Sequence, residues 1–392
     1  MKIRRIFKSL AAAVLALAVL GAATLNSVVF APRAEASGLN KGDIIELGSY
    51  PQQRVTDEAL LSALDSQEKD WISYNYYSGT DGESAGSMES GDWMKYADFT
   101  YDGIKYRAVT FSKYMPDCTF DEASEDYSYS TQEENGYKVN NVYYFRYDPI
   151  VWCVLDPESG LVMCEMIIDS QPFSEKFYEG YYGDEECYND PGRSHYANDY
   201  ATGSIREWLN GDFYNTAFSD FEKQCIATSS FETKAFDEAH GKYDSEQTDD
   251  NVFLLSLDEV ENPEYDFKKN NIEGPSLPAM GSEYAKCQGL WVDDSADKMS
   301  YWYLRTGGEY SAFVCTVSSE CEISTDDDGF ASSNEIGVRP ALRLQSGMRG
   351  GRADASLSRS NFWIILISCV AAAVLVAAIV VLIKITFVKR SR

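Results

Sequence analysis

Histidine is nearly absent from this 392-residue chain: His195 and His240 are the whole supply. A Ser/His/Asp triad or a histidine-based metal centre would have to draw on one of these two, and neither sits in a regular ligand spacing. Cysteine is sparse too, nine in all, too few for a disulfide scaffold. Basic residues are outnumbered, 34 Lys and Arg against 62 Asp and Glu. Five of the basic residues and one acid precede Ser37, and four basic residues follow Ser360. The stretch between therefore holds 25 basic against 61 acidic residues, a net charge near −36. Such a field argues against nucleic acid and anionic lipid surfaces as partners and leaves cations or cationic polymers. An acidic surface that only keeps an exported protein soluble fits the same balance.

The two ends set a topology. Lys2, Arg4, Arg5 and Lys8 form a basic start, residues 10–25 an apolar run, and Ala34-Glu35-Ala36 a small-x-small cleavage site. Residues 1–36 thus read as a secretory signal peptide. Residues 362–383 are 22 apolar positions without a charge. At 1.5 Å per residue they reach about 33 Å, enough to cross a bilayer. Lys384, Lys389, Arg390 and Arg392 follow as a cytoplasmic basic stop. The expectation is a single-pass protein of the cell membrane with its main domain extracellular. Residues 37–344 are the exported domain, 345–360 a flexible linker, 361–383 the transmembrane helix and 384–392 a cytoplasmic tail.

Within the exported part, residues 42–52 read as a strand closed by a turn, and 56–64 as a short helix on Leu60, Leu61 and Leu64. A Tyr-, Ser-, Asp- and Gly-rich tract makes 54–146 a loop-rich insertion with strand-like islands at 104–111 and 142–145. Residues 150–155 and 161–168 are apolar on both faces, a buried hairpin turning at 156–160. Leu155 opposite Leu161 would set Cys153 against Met163 and Trp152 against Cys164, with the two sulfurs on opposite faces. Ser204 with Glu207, and Ser219 with Glu222, match the capping-box spacing. They predict two short helices pinned by Trp208 and Phe213, the first ended by Asn210-Gly211. Strands are expected at 252–257, 311–317 and 336–344. Pro340 demands an edge or a bulge in the last.

Taken in order, these motifs carry a resemblance. Gly-Asp-Ile-Ile-Glu-Leu-Gly-Ser-Tyr-Pro-Gln at 42–52 and Pro-Ile-Val-Trp-Cys-Val-Leu-Asp at 149–156 come first. Ser-Ile-Arg-Glu-Trp-Leu-Asn-Gly-Asp-Phe-Tyr-Asn at 204–215 and Asn-Val-Phe-Leu-Leu-Ser at 251–256 follow. Tyr-Trp-Tyr-Leu-Arg-Thr at 301–306 and Gly-Val-Arg-Pro-Ala-Leu-Arg-Leu at 337–344 complete the set. Across nearly the whole exported part they resemble the bacterial surface family known as domain of unknown function 6273. Trp152, Trp208, Asn210, Trp302, Arg305, Arg339 and Pro340 carry the likeness. The layout of the end is similar to the C-type-lectin-like fold of sulfatase-modifying proteins. The fold class this implies is α+β, a C-type-lectin-like core of antiparallel strands with two short helices and the loop-rich insertion.

Candidate sites are few. Gly82-Glu83-Ser84-Ala85-Gly86 has the nucleophile-elbow pattern, but no strand precedes it in a Ser/Gly-rich loop, so it reads as a decoy. Cys315 and Cys321 invite comparison with formylglycine-generating enzymes, which by that resemblance use two nearby cysteines. Five residues separate them here, and a disulfide or two inert thiols is the plainer account. Cys187 and His195 lack the further ligands of a zinc site. Ser324, Asp326, Asp328 and Glu335 follow the spacing of a calcium loop, with Gly329 at its turn. Ser324 stands where an aspartate is expected, and a solvated acidic hairpin is the alternative. The function expected is a non-catalytic module binding a glycan or protein ligand at the cell envelope, through polar loops at 307–310 and 318–337. Alternatives are a metal-dependent enzyme related to the formylglycine-generating group and a structural ectodomain of a membrane assembly.

Overall fold

The computed structural model describes residues 38–74, 94–115, 131–175, 178, 186–233, 247–269, 275–325 and 329–346. The signal, the linker beyond residue 346, the transmembrane run and tail, and the Gly82–Gly86 motif lie outside the described residues. Among the described residues no helix is long and apolar enough to cross a membrane.

The architecture is mixed and sheet-rich, with short helices. The first strands are β1 (Ile44–Arg54), β2 (Ile72–Ser73), β3 (Met94–Tyr101), β4 (Ile104–Phe111), β5 (Val142–Asp156), β6 (Leu161–Cys164) and β7 (Asp169–Ser170). The later ones are β8 (Ile226–Ala227), β9 (Ser229–Glu232), β10 (Gln247–Asp250), β11 (Val252–Phe253), β12 (Trp302–Gly307), β13 (Val314–Val317), β14 (Ile323–Ser324), β15 (Gly337–Val338) and β16 (Ala341–Leu344). Nine strands form one sheet in the order β11-β16-β6-β5-β4-β3-β2, with β1 also on β5 and β8 also on β16. Five form a second in the order β14-β13-β12-β15-β7, and β9 pairs with β10 alone. All pairings are antiparallel except β12 with β15.

The hairpin register came out as the apolar pattern requires, with one change. Trp152 faces Cys164 and Cys153 faces Met163, but Asp156, not Leu155, faces Leu161. A bulge between Val154 and Asp156 absorbs the odd residue. Both cysteines are buried and free. The region read as a loop-rich insertion carries more order than its composition suggests. β3 and β4 pair over their full length, Met94 with Phe111 through Tyr101 with Ile104, and β4 continues onto β5. The helix Glu58–Asp65 begins on the side chain of Asp57, not Thr56. It packs Leu64 against Ala97, Tyr106, Ala108 and Tyr144, a small second core.

Pro340 explains the end of the chain. The predicted continuous strand 336–344 is instead two strands in two sheets. β15 lies in the five-stranded sheet and β16 in the nine-stranded one, and Arg339-Pro340 is the crossing. A proline has no N–H to give a ladder, so a break between sheets is a place it can occupy. Trp302, Val338 and Leu342 are wholly buried.

The first predicted capping box does not form. The N-cap is Gly203, one residue earlier, and Ser204 is already helical. A Cβ on Gly203 would lie 3.0 Å from the Phe173 carbonyl, so a side chain there would be crowded. The Ser204 hydroxyl accepts the Glu175 N–H instead (2.8 Å), and Glu207 is released to the surface. Nor does Asn210-Gly211 end the helix. Ser204–Trp208 runs on through a π-helical turn, Leu209–Phe213, to Tyr214–Ala217. Phe213 is a fully buried peg, while Trp208 is half-buried and stacks on it at 5.3 Å.

The second box, Ser219 with Glu222, is complete in both directions. A third, Ser256 with Glu259, went unread in the sequence. Glu222 also accepts the N–H of Gly48 from β1 (3.0 Å). Gly48 has φ +75, and a Cβ there would meet Phe218 at 2.6 Å and the Ala217 carbonyl at 2.8 Å. The strand passes under the helix end only because this position is bare. Gly48→Ala should therefore cost about 2–4 kcal/mol in urea unfolding. A loss below about 0.5 kcal/mol would contradict the tight crossing.

A candidate ligand-binding cleft

The residues that carry the motifs are mostly internal. Arg305 donates through Nη1 to the Leu254 carbonyl (2.7 Å) and to Glu259 (2.6 Å). Trp302 donates its indole N–H to the Leu277 carbonyl (3.1 Å), and Trp152 its own to Leu47 (2.8 Å). Asn210 uses its whole amide. Nδ2 donates to the Arg206 and Val252 carbonyls, while Oδ1 accepts from Asn251 and Val252. These contacts staple the π-helical turn to the link between β10 and β11. They position the fold and leave no reactive group exposed.

Many described residues of the loops expected to present a ligand face are buried. Ser318, Ser319, Cys321, Ser332 and Asn334 are covered, while Glu320 and Glu322 are exposed. Their polarity is consumed inside the protein. Tyr303 donates to the Phe330 carbonyl, Ser170 to Asn334 and Ile336, and Asn198 to Tyr310 and Phe313. Of the calcium candidates, Asp326 and Asp328 lie outside the described residues. Ser324 ends β14 opposite Thr316, and the Glu335 carbonyl accepts the Trp291 N–H (2.9 Å). Among the described residues no group of three or more His, Cys, Asp or Glu is placed to hold a metal ion. His195 lies beside Asp199 (Nδ1 to Oδ2, 3.4 Å), and Cys187 is buried.

Cys315 and Cys321 are free thiols aimed at different carbonyls, Gly307 (3.6 Å) and Lys269 (3.3 Å). Burial pushes Cys315 up to about 12 and raises Cys321 as well. Both hold their protons at neutral pH, the opposite of what a thiolate site needs.

Among the described residues an open cleft is lined by Ala201, Thr202, Gly203, Arg206, Glu207, Asn210 and Gly211, with a volume near 460 Å³. That falls in the size range of small-molecule sites. One wall is the turn leading into the helix; the other is the outer face of the helix and its π-helical turn, a feature frequent at functional sites. Asp250, whose side chain is fully buried, anchors Arg206 (Nε to Oδ1, 2.7 Å), and Arg206 Nη1 reaches the Ala201 carbonyl (3.0 Å). Burial raises the Asp250 pKa, with Arg206 opposing it. The guanidinium is thereby held still, with Nη2 unclaimed among the described residues. Glu207 is exposed beside it, its carboxylate likewise unclaimed. A fixed donor and a free acceptor thus share one wall. At Gly211 a Cβ would meet nothing within 4 Å. The sequence reading used Glu207 as a cap and Gly211 as a helix end, so it passed over the cleft. The failed cap was the only signal, and it needs the Gly203 contact to be seen.

With the geometry in place, residues 161–346 match the family model described as "Domain of unknown function (DUF6273)". The match begins after Trp152 and so covers less than the full run of motifs. No curated protein and no solved structure matches the chain.

The thiol environments can be checked directly. In the native protein Cys315 and Cys321 should resist alkylation at pH 8 and react fully once unfolded. Rapid labelling of either in the folded state would overturn the burial argument.

Proposed function

We propose that this chain, whose residues 161–346 belong to the DUF6273 family, is a non-catalytic binding module, exported and held at the cell membrane by its C-terminal apolar run. The observation that carries the binding role is the cleft over the π-helical turn. Its guanidinium is locked by a buried carboxylate, so binding a ligand there would not require first ordering Arg206. Arg206 carries little net charge to offer an anion, because Asp250 already opposes it. A donor and an acceptor side by side suit a polar ligand with adjacent hydroxyl groups, such as a sugar unit of an envelope glycan. The signal at one end, the basic stop at the other and the acidic body support an extracellular location. The C-type-lectin-like architecture belongs to the same proposal. It is supported by β12, the excursion after it and β15 returning to lie beside β12.

Gly211→Phe tests the site with little risk to the fold, because the position faces open space in a helical turn. Full-length protein should retain soluble cell-wall glycan fragments. Gly211→Phe should lose that retention, and Glu207→Gln should weaken it about tenfold, the scale of one hydrogen bond to a charged group. Both variants should unfold within about 0.5 kcal/mol of the parent. Equal retention by Gly211→Phe, or none by the parent, would reject the cleft.

A further inference from the structure

A second cluster of polar groups lies where the two sheets meet, and its innermost member is a charge without an ion pair among the described residues. Arg107 of β4 is buried and gives Nε and Nη2 to Asp98 (2.8 and 2.9 Å). Its other contacts are the hydroxyls of Tyr147 and Tyr284, both at 3.0 Å, and the face of Tyr96 at 4.4 Å. Tyr284 in turn shares a hydrogen bond with Tyr74, which accepts from Gln288 (3.1 Å). Asp169 of β7 is the second carboxylate, 1 % exposed. It accepts from Tyr50 of β1 (2.6 Å), from the Ser170 N–H (2.8 Å) and from Gln171 (3.3 Å). Among the described residues no cation pairs with it; the charge of Arg107 acts on it only from a distance.

The groups facing Asp169 can be named from each neighbouring element. β1 supplies Tyr50, β4 supplies Arg107, and Tyr74 follows β2. The helix Glu283–Cys287 supplies Tyr284 and the Cys287 thiol, which Asp169 helps to raise. On that helix Glu283 is paired with Lys286 at 2.8 Å. The guanidinium is committed to Asp98, an exposed residue of β3, so Asp169 is the buried carboxylate left without an ion pair among the described residues, and it joins β1 of the nine-stranded sheet to β7 of the five-stranded sheet.

We propose that this junction is a proton-operated latch: in mildly acidic surroundings Asp169 takes one proton from solvent, and the seam between the sheets loses its uncompensated buried charge. Burial pushes Asp169 up to about 6, against the pull of Tyr50, Ser170, Gln171 and Arg107. Unfolded, the same carboxyl titrates near its ordinary 3.8. The folded chain therefore binds this proton more tightly, and stability from this group rises as pH falls through about 6. The gain is complete below the ordinary carboxylate value and absent well above 6. Asp98 acts elsewhere on the scale: burial pushes it up, but the hydrogen bonds and charge of Arg107 hold it below its ordinary value, so its loss comes at lower pH. Asp199 and Asp250 are raised by burial and add in the same direction, so only a comparison of variants isolates Asp169.

The test is infrared difference spectroscopy on the full-length chain, taken from pH 7.5 to 5. The protonated-carboxyl signal should contain a component with a midpoint near 6 that is missing from the otherwise unchanged signal of Asp169→Asn. The urea midpoint of the parent should rise more over that range than that of Asp169→Asn. In Tyr50→Phe that component should persist with its midpoint moved to higher pH, since a hydrogen bond to the charged form is gone. The same component in Asp169→Asn would overturn the latch. Should Asp169→Asn not fold, Tyr50→Phe decides alone, and an unmoved midpoint there overturns it.

Discussion

A single guanidinium holds the crossing between the two sheets. Arg339 is 2 % exposed and makes no ion pair with a carboxylate among the described residues. It spends its donors on four backbone carbonyls: Cys164 (2.9 Å), Glu165 (3.3 Å), Ser276 (2.8 Å) and Leu277 (3.0 Å). Its flat face lies 5.0 Å from the ring of Trp302. Burial pulls its pKa down to about 10, so it stays charged at neutral pH. Taking a cation out of water is expensive unless its donors are met, and here the carbonyls of two separate segments meet them. Those segments are the end of β6 and the approach to the helix Glu283–Cys287; at the crossing itself the Pro340 carbonyl accepts the Cys164 N–H (2.8 Å).

The same logic repeats around the molecule. Arg305 gathers Leu254 and Glu259, Arg107 gathers Asp98 and two tyrosines, and Asn210 gathers the π-helical turn and β11. In a chain dominated by acids, most of the buried polar work falls to a few cations and amides. Each fixes loops that would otherwise be free, and the loops are accordingly packed. The helix face over the turn stays open, with Arg206 held by Asp250 and Glu207 left to solvent. Rigid support beneath an exposed polar wall is what a binding site needs.

Much of the architecture was readable because apolar periodicity and turn chemistry act locally. The β5–β6 register, the Ser219 box and the disruptive Pro340 all follow from neighbours within a few residues. Ser204 misled because the cap falls on Gly203, where Phe173, distant in sequence, would crowd a side chain. The 318–337 loops misled because polarity was taken for exposure, whereas their hydroxyls and carbonyls are satisfied inside. The family motifs named the residues that brace the fold, Trp302, Arg305 and Arg339 among them, and so pointed away from the cleft. Glu207, Arg206 and Gly211 are ordinary helix residues in the sequence, and only the packing around them makes a site.

The most direct test of the central constraint is urea unfolding of the full-length chain with Arg339→Lys. Lysine keeps the charge but has no planar fork to reach several carbonyls at once. If the guanidinium joins the sheets as described, the substitution should cost about 3–5 kcal/mol, the scale of a buried charge stripped of its partners. A loss under about 1 kcal/mol would show that charge alone suffices and that the crossing is held by something else.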